Sequence, residues 1–100
     1  MVQLNIMRIF VKISEPLWQT VGSRSLTLTW DRPTITVAEV LNRLHVEYAN
    51  FGPTFRGEGQ RLTVGYHIFI NTRMIKPEDW PQVQMQDADK LFIFLPAVGG

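Results

Sequence analysis

The chain has 100 residues, of which 45% are hydrophobic and 19% are charged, and its formal net charge is +1 at pH 7, so one soluble domain with its own core is expected. The absence of cysteine excludes a disulfide framework, a thiolate metal site and a cysteine nucleophile. Without a basic run, a membrane-length apolar stretch or a signal-peptide pattern, we expect a cytoplasmic protein with neither nucleic acid nor membrane as a partner.

The first third of the chain predicts two strands that pair with each other. Between residues 6 and 13 the odd positions from Met7 onward are apolar, whereas Arg8 and Lys12 point to the opposite side. Residues 25–31 alternate strictly between apolar and polar side chains. Strands this close in sequence usually pair antiparallel, and the turn-forming residues between them predict a loop or an irregular hairpin.

A helix is predicted from Val37 to about Tyr48. Thr36 and Glu39 have the spacing of a capping box, in which each residue binds the main-chain N–H of the other. Inside the helix an i, i+3, i+4, i+7 apolar stripe indicates that one face lies on the sheet. On the outer face, Glu39 and Arg43 have the spacing of an i, i+4 ion pair.

The second half of the chain alternates between turn-forming and strand-forming segments. Residues 50–60 predict a long loop, because they are rich in turn formers and have no period. Residues 66–71 predict a strand, and residues 71–74 a turn. An acidic turn at 87–89 precedes a last strand, 90–95, whose apolar composition is typical of a strand covered on both sides or on one side by a partner.

The predicted order is therefore strand, strand, helix, strand, a possible short strand, and strand. One helix cannot cover both faces of a sheet, so this order predicts an α+β protein. Its expected architecture is a mixed four- to five-stranded sheet with one main helix packed on one face. We expect residues 1–100 to form a single domain, with 96–100 as a flexible C-terminal tail.

Side-chain catalysis has little support in the sequence. His45 and His67 share no metal-ligand spacing with a second histidine or cysteine, so no metal site is predicted. No serine lies in a nucleophile elbow, and the acidic pair of Asp87 and Asp89 is better explained by a turn. The chain is therefore not expected to be an enzyme.

The C-terminus is the distinctive part of the sequence. Pro96 cannot donate to a sheet ladder and favours extended geometry in the residue before it, so the last strand should end near Leu95. The five residues that follow can extend by about 17 Å. Gly99 and Gly100 have no Cβ, so a narrow tunnel in another protein could admit them and the terminal carboxylate. The alternative is a glycine-rich end without function.

Three stretches resemble the MoaD/ThiS-type sulfur carriers, which are ubiquitin-like β-grasp proteins, and most closely the branch of molybdopterin synthase small subunits. Residues 67–71 resemble the apolar strand that ends in asparagine, residues 87–94 resemble the Asp-Gly-Asp turn with the last strand, and residues 95–100 resemble the Pro-Pro-Val-x-Gly-Gly ending. This chain departs from the pattern at Leu95, in the order of residues 97 and 98, and at Ala88, where glycine is common.

The resemblance implies a carrier that binds no cofactor of its own. An E1-like enzyme of the MoeB/ThiF type would use MgATP to adenylate the carboxylate of Gly100, and a sulfur donor would convert it to a thiocarboxylate. In the molybdopterin branch, the large synthase subunit, of the MoaE type, receives the tail, and catalytic side chains belong to the partners. The partner-binding residues of the tail would then be Pro96, Ala97, Val98 and Gly99.

Docking should use the apolar surface next to the tail. Phe69, Phe92 and Phe94 are the candidates, because strands with aromatic residues on both faces often bury the second face in an interface, although core packing is an equal alternative. The pathway stays open: the chain could carry sulfur for thiamine, tRNA thiolation or another product. It could also be a ubiquitin-like modifier joined to lysines through Gly100, or a plain interaction module.

Overall fold

In the computed structural model, residues 6–15, 17–56 and 65–95 form seven strands, three α-helices and one 3-10 turn. The strands are β1 Ile6–Ile13, β2 Ser25–Asp31, β3 Ile35–Thr36, β4 His67–Ile70, β5 Arg73–Ile75, β6 Gln84–Met85 and β7 Lys90–Phe94. The helices are α1 Trp18–Val21, α2 Val37–Glu47 and α3 Phe51–Phe55, and the 3-10 turn is Pro77–Asp79. No described helix is long and apolar enough to cross a membrane.

Five strands form a mixed sheet in the order β2-β1-β7-β4-β5. The two central strands, β1 and β7, are parallel, and the other pairs are antiparallel. The short strands β3 and β6 pair separately and extend the fold beside α2. The α+β prediction of a mixed sheet with one main helix on one face is therefore confirmed.

The core lies between α2 and one face of the sheet. Strand alternation directs every second side chain of β1, β4 and β7 to this face, and the apolar stripe of α2 covers it. The predicted capping box is present: Thr36 Oγ1 accepts the Glu39 N–H at 3.2 Å, and Glu39 Oε1 accepts the Thr36 N–H at 3.1 Å. The fully buried side chains of the core include Met7, Ile9, Val11, Val37, Leu44, Ile68, Leu91 and Ile93.

Two segments predicted as loops contain short helices. α1 follows Leu17, which is fully buried in the core, and ends at Gly22 with a φ of 86°. α3 begins at Phe51 in the segment predicted as a long loop. Pro53 is compatible with it because the N–H that proline lacks has no partner in the first turn of a helix. The loop prediction was wrong for these residues, and residues 57–64 lie outside the described part of the chain.

The predicted ion pair between Glu39 and Arg43 is also wrong. Glu39 turns back toward its capping partner and pairs with Arg32 instead. Arg43 donates from Nε to Glu47 Oε1 at 2.8 Å, one turn further along α2. The capping box decides this choice, because the same carboxylate that accepts the Thr36 N–H cannot also extend toward the next turn.

Candidate functional site

The chain leaves the sheet at the end where β1 and β7 stop. Ser14, the residue after β1, donates its N–H to the Ile93 carbonyl at 2.9 Å, and its Oγ accepts the Leu95 N–H at 2.9 Å. These two bonds extend the pairing of the central strands past Phe94 and fix Leu95, the last described residue. The end of β7 is therefore held to β1 as far as Leu95.

The predicted tail residues lie outside the described part of the chain. This applies to the proposed reactive carboxylate and to the partner-binding arm, namely Gly100 and Pro96, Ala97, Val98 and Gly99. Their assigned roles remain predictions.

The three predicted docking residues lie together on the sheet face opposite α2. Phe69 and Phe92 are cross-strand partners, and the Phe69 ring stacks on the Phe94 ring with the centroids 5.1 Å apart. His67 meets the edge of the Phe94 ring at 6.4 Å between centroids. None of these side chains belongs to the buried core, and each is half-buried. We call His67, Phe69, Phe92 and Phe94 the aromatic face.

Cationic side chains lie beside the aromatic face. The Lys12 ammonium lies 5.9 Å from the centroid of the Phe92 ring, its partner across the parallel β1–β7 pair. Phe10 and Lys90 face each other one step earlier in the same pair. Shallow depressions of about 270 and 300 Å³ lie on either side of Lys12. Within the described residues, neither Lys12 nor Lys90 forms an ion pair, so this surface is basic as well as apolar.

Sequence reasoning did not assign Phe10, Lys12 or Ser14 to the candidate site. The alternation of β1 places Phe10 and Lys12 on the outer face, but it does not say which strand lies next to β1. The parallel pairing with β7 connects segments about 80 residues apart, and nothing in the local pattern indicates it. The available signal was the apolar run of residues 91–95 in the last strand, which is typical of a central position.

The residues at the other end of the sheet have a structural role. Asn71 Nδ2 donates to Asp89 Oδ1 at 3.3 Å, and Asn71 Oδ1 accepts the Lys90 N–H at 3.2 Å. Asp87 Oδ1 accepts the Arg8 N–H at 2.8 Å. This bond and the nearby Arg8 guanidinium lower the pKa of Asp87 below its ordinary value. The asparagine and the acidic turn that carry the sequence resemblance therefore join β1, β4 and β7 rather than forming a reactive centre.

The two histidines lie in different environments. His45 lies on α2 with its imidazole over the Cα of Gly52, where an added Cβ would meet the ring at 2.0 Å. His67 belongs to the aromatic face. Within the described residues, no three side chains of the metal-binding types come together in a way that could hold an ion.

Comparison with known proteins places the fold. No protein-family model and no curated protein sequence matches the chain. Among solved structures, the Haloferax volcanii HVO 2177 protein covers 100% of this chain and 92% of its own length, with 22% identity and a TM-score of 0.73. Small archaeal modifier protein 1 from Methanosarcina acetivorans covers 95% of this chain and 98% of its own length, with 22% identity and a TM-score of 0.69.

A third similar structure comes from Pyrococcus furiosus and is provisionally assigned as molybdopterin converting factor subunit 1. It covers 91% of this chain and 99% of its own length, with 18% identity and a TM-score of 0.67. The mixed five-stranded sheet, the single main helix and these likenesses together define a ubiquitin-like β-grasp fold. At these identities the likeness shows the fold and leaves the activity to be argued from the site.

Proposed function

We propose that the chain is a ubiquitin-like sulfur carrier, and within that class the small subunit of a molybdopterin synthase. One observation carries the proposal: the end of the sheet from which the chain continues to its Gly-Gly terminus adjoins the aromatic face and Lys12. A partner that docks on this surface would meet the tail at the same time. The Pyrococcus furiosus structure, assigned as a molybdopterin converting factor subunit, supports this branch of the class.

The proposed chemistry takes place at the main-chain carboxylate of Gly100. A terminal carboxylate has a pKa of about 3.5 and is ionised at pH 7, which makes it a poor electrophile. Attack of one of its oxygens on the α-phosphorus of ATP would form an acyl adenylate and release pyrophosphate. A sulfur nucleophile would then add to the carbonyl carbon and expel AMP, which leaves a thiocarboxylate.

This chain and its partners have separate parts in that scheme. The chain contributes a docking surface, a fixed point of exit at Ser14 and Leu95, and the carboxylate. An E1-like enzyme binds MgATP and catalyses adenylation, a donor supplies the sulfur, and the large synthase subunit receives the loaded tail. Main-chain hydrogen bonds in an extended, strand-like mode would hold the residues from Pro96 to Gly99 in each partner.

A second candidate function is protein modification through Gly100. Two of the structures with the same fold, from Haloferax volcanii and Methanosarcina acetivorans, carry the name small archaeal modifier protein 1. A modifier would use the same adenylate, but a lysine amine would replace sulfur as the final nucleophile and an isopeptide bond would form. The two functions therefore differ in the acceptor and not in the first step.

Intact-mass measurement separates these functions. The full chain is incubated with an E1-like enzyme from the same cell, ATP and a sulfide donor, and a variant that lacks Gly100 serves as the control. Exchange of one oxygen for one sulfur at the C-terminus supports the carrier, whereas lysine-linked conjugates formed in lysate support the modifier. An unchanged mass, with the enzyme active on its own carrier, would contradict both.

The docking surface is tested with matched charge substitutions. Phe94→Asp places a carboxylate in the aromatic face, and Val46→Asp places one on an exposed apolar residue of α2, which is 73% accessible. We expect Phe94→Asp to weaken binding to the activating enzyme at least tenfold, since central aromatic residues of an interface are often worth 2 kcal/mol or more, at about 1.4 kcal/mol per tenfold. Val46→Asp should bind normally.

Binding of the variants to the activating enzyme is measured by titration calorimetry, and circular dichroism checks that each variant is folded. Because Lys12 forms no ion pair within the described residues, we expect the partner to present carboxylates to it, and Lys12→Glu should weaken binding and reduce its dependence on salt. Lys76→Glu, an exposed residue before the 3-10 turn, is its control. Equal losses for Phe94→Asp and Val46→Asp would show that the aromatic face is not the docking surface.

A further inference from the structure

Within residues 6–15, 17–56 and 65–95, the sheet has one long free edge. β5 ends the sheet on one side and has three residues, whereas β2 ends it on the other side and has seven. An unpaired strand edge presents a row of N–H and C=O groups to which another strand can add. Short edge strands present few such groups, so β2 is the edge at which addition is to be expected.

The hydrogen bonds of β1 show which groups of β2 point outward. Phe10 and Arg8 are the cross-strand partners of Thr27 and Thr29. The Phe10 N–H is donated away from β2, to the Asp89 carbonyl at 3.0 Å, and the Arg8 carbonyl accepts the Ala88 N–H at 2.8 Å. In an antiparallel pair the N–H and C=O of a residue point to the same side, so the main-chain groups of Thr27 and Thr29 point to the free edge.

At the start of β2 the main-chain groups alternate in the same way. The Arg24 carbonyl accepts the Ile13 N–H at 2.8 Å, so Arg24 points toward β1 and its neighbour Ser25 points outward. The hydroxyl of Ser23 occupies both outward groups of Ser25. It donates to the Ser25 carbonyl at 2.6 Å and accepts the Ser25 N–H at 3.3 Å.

Arg43 occupies the edge at Thr29, two residues beyond Thr27. Its Nη1 donates to the outward carbonyl of Thr29. The guanidinium lies 4.6 Å from the centroid of the Trp30 ring, and Nε is held by Glu47 at 2.8 Å. Three contacts thus fix an arginine from α2 across the strand edge, and the side chain is only 30% accessible.

We propose that Ser23 and Arg43 cap the β2 edge against strand addition, and that removal of both caps opens it to a second copy of this chain. Antiparallel pairing of two β2 strands about Thr27 would place Ser25 of one copy opposite Thr29 of the other. The caps occupy both outward groups of Ser25 and the outward carbonyl of Thr29.

The caps leave Thr27 as the uncapped residue between them. A partner strand could bond to its N–H and C=O but would meet the Ser23 hydroxyl on one side and the Arg43 guanidinium on the other. One residue cannot hold a strand in register, so the β2 edge stays unpaired. A chain that must deliver its end to other proteins benefits from an edge that does not bind its own copies, but the capping inference does not depend on the proposed function.

The test removes both caps and retains the packing. Ser23→Ala removes the hydroxyl, and Arg43→Met removes the guanidinium while an unbranched stem stays over Trp30. We expect the double variant to sediment as a dimer and its Thr27 amide to exchange with solvent at least about tenfold more slowly than in the parent chain. The matched control combines Ser23→Ala with Arg32→Met, because Arg32 binds Glu39 rather than the strand edge.

The substitution Thr27→Pro, added to the double variant, tests whether the dimer forms through the β2 edge. The Thr27 N–H points outward, so proline removes no bond to β1 but prevents pairing at the edge. We expect this triple variant to return to a monomer. A dimer that survives Thr27→Pro, or a folded double variant that stays monomeric with a fast Thr27 amide, would overturn the proposal.

The parent chain offers a test that does not require a substitution. The Ser25 N–H is hydrogen-bonded to the Ser23 hydroxyl, whereas the Thr27 N–H points to solvent. Hydrogen exchange should therefore be slower at the Ser25 amide than at the Thr27 amide. Equal rates at the two amides, or a parent chain that is already dimeric with a slow Thr27 amide, would contradict the capping of this edge. This measurement decides the matter even if the double variant does not fold.

Discussion

Two turn residues beside the central strands have positive φ angles, 55° for Asn71 and 71° for Ala88. Asparagine tolerates this region because its short side chain makes local hydrogen bonds, and here Asn71 binds both Asp89 and Lys90. Alanine has a Cβ and no such compensation, at a cost of about 1 kcal/mol. The two turns thus share a backbone conformation that only one of them accommodates without strain.

Ala88→Gly should therefore stabilise the protein. Relief of the Cβ strain exceeds the added freedom of glycine in the unfolded chain, so we expect a gain of up to about 1 kcal/mol in the free energy of unfolding. Ala49→Gly, at an exposed turn residue without a positive φ, should be neutral or destabilising by about 0.5 kcal/mol. Urea denaturation measures both, and a loss of stability in Ala88→Gly would show that its backbone is not strained.

Asp87 makes stability depend on pH in the acid range. Its pKa is lowered chiefly by the Arg8 N–H, so the ionised carboxylate stabilises the folded state. That contribution is complete above the ordinary aspartate pKa of about 3.9 and is lost as the pH falls through the lowered pKa. Asp87→Asn should be less stable than the parent chain at pH 7, and the difference should narrow as the pH is lowered from about 5 to about 2. A difference that does not change with pH would assign the effect to packing.

The elements that the sequence predicted well are those with a long, uniform period. β1, β2 and α2 were found at or near their observed bounds because seven to eleven residues repeat one pattern, and Thr36 marks the start of the helix. α1 and α3 have four and five residues and were missed. Too few positions define a period there, and Pro53 indicates a turn unless the surrounding structure places it in the first turn of a helix.

The candidate site was predicted in part for the same reason. Phe69, Phe92 and Phe94 follow from strand alternation, which is a local property. Lys12 and Ser14 depend on the parallel contact between β1 and β7, which is decided by packing of distant segments. The Glu39–Arg43 pair failed because spacing alone does not show that Glu39 is already engaged by the capping box and Arg32.

Ser14→Ala tests the bond that fixes the end of β7. Removal of the hydroxyl leaves the Leu95 N–H without its acceptor, so we expect a loss of about 1 kcal/mol in the free energy of unfolding and roughly tenfold faster amide exchange at Leu95. Ser25→Ala is a matched control, because the Ser25 side chain is exposed and only its main chain binds Ser23. If both variants exchange alike at Leu95, Ser14 does not hold the end of the strand.

At the scale of the whole molecule, the two faces of the sheet differ in burial and in role. The inner face and α2 form the core, in which residues such as Ile9 and Ile93 are fully buried. The outer face keeps half-buried aromatic rings and two unpaired lysines, which no other layer of the described structure covers. Stability and the proposed docking therefore depend on separate sets of side chains that alternate along the same strands.

Deletion of residues 96–100 should abolish the proposed sulfur loading without unfolding the protein. The buried core consists of residues between Met7 and Ile93, and deletion outside it should change the free energy of unfolding by less than about 0.5 kcal/mol. Thermal denaturation followed by circular dichroism measures this, beside the intact-mass assay. A large fall in melting temperature would show that these residues belong to the fold.

The central position of β7 also governs when the protein can fold during its synthesis. β1 is made first, yet its parallel neighbour is the last strand of the sheet, and β4 and β5 are joined to β1 only through it. While β7 is still inside the ribosome, the part of the chain that has emerged lacks Leu91 and Ile93. Truncation of either fully buried side chain alone lowers the free energy of unfolding by about 2–5 kcal/mol. Such a chain also lacks the strand that joins β4 and β5 to β1, so we expect it not to hold its sheet together and to be open to proteases. We therefore expect chains truncated before β7 to be degraded, so that the chains that meet a partner carry the complete sheet.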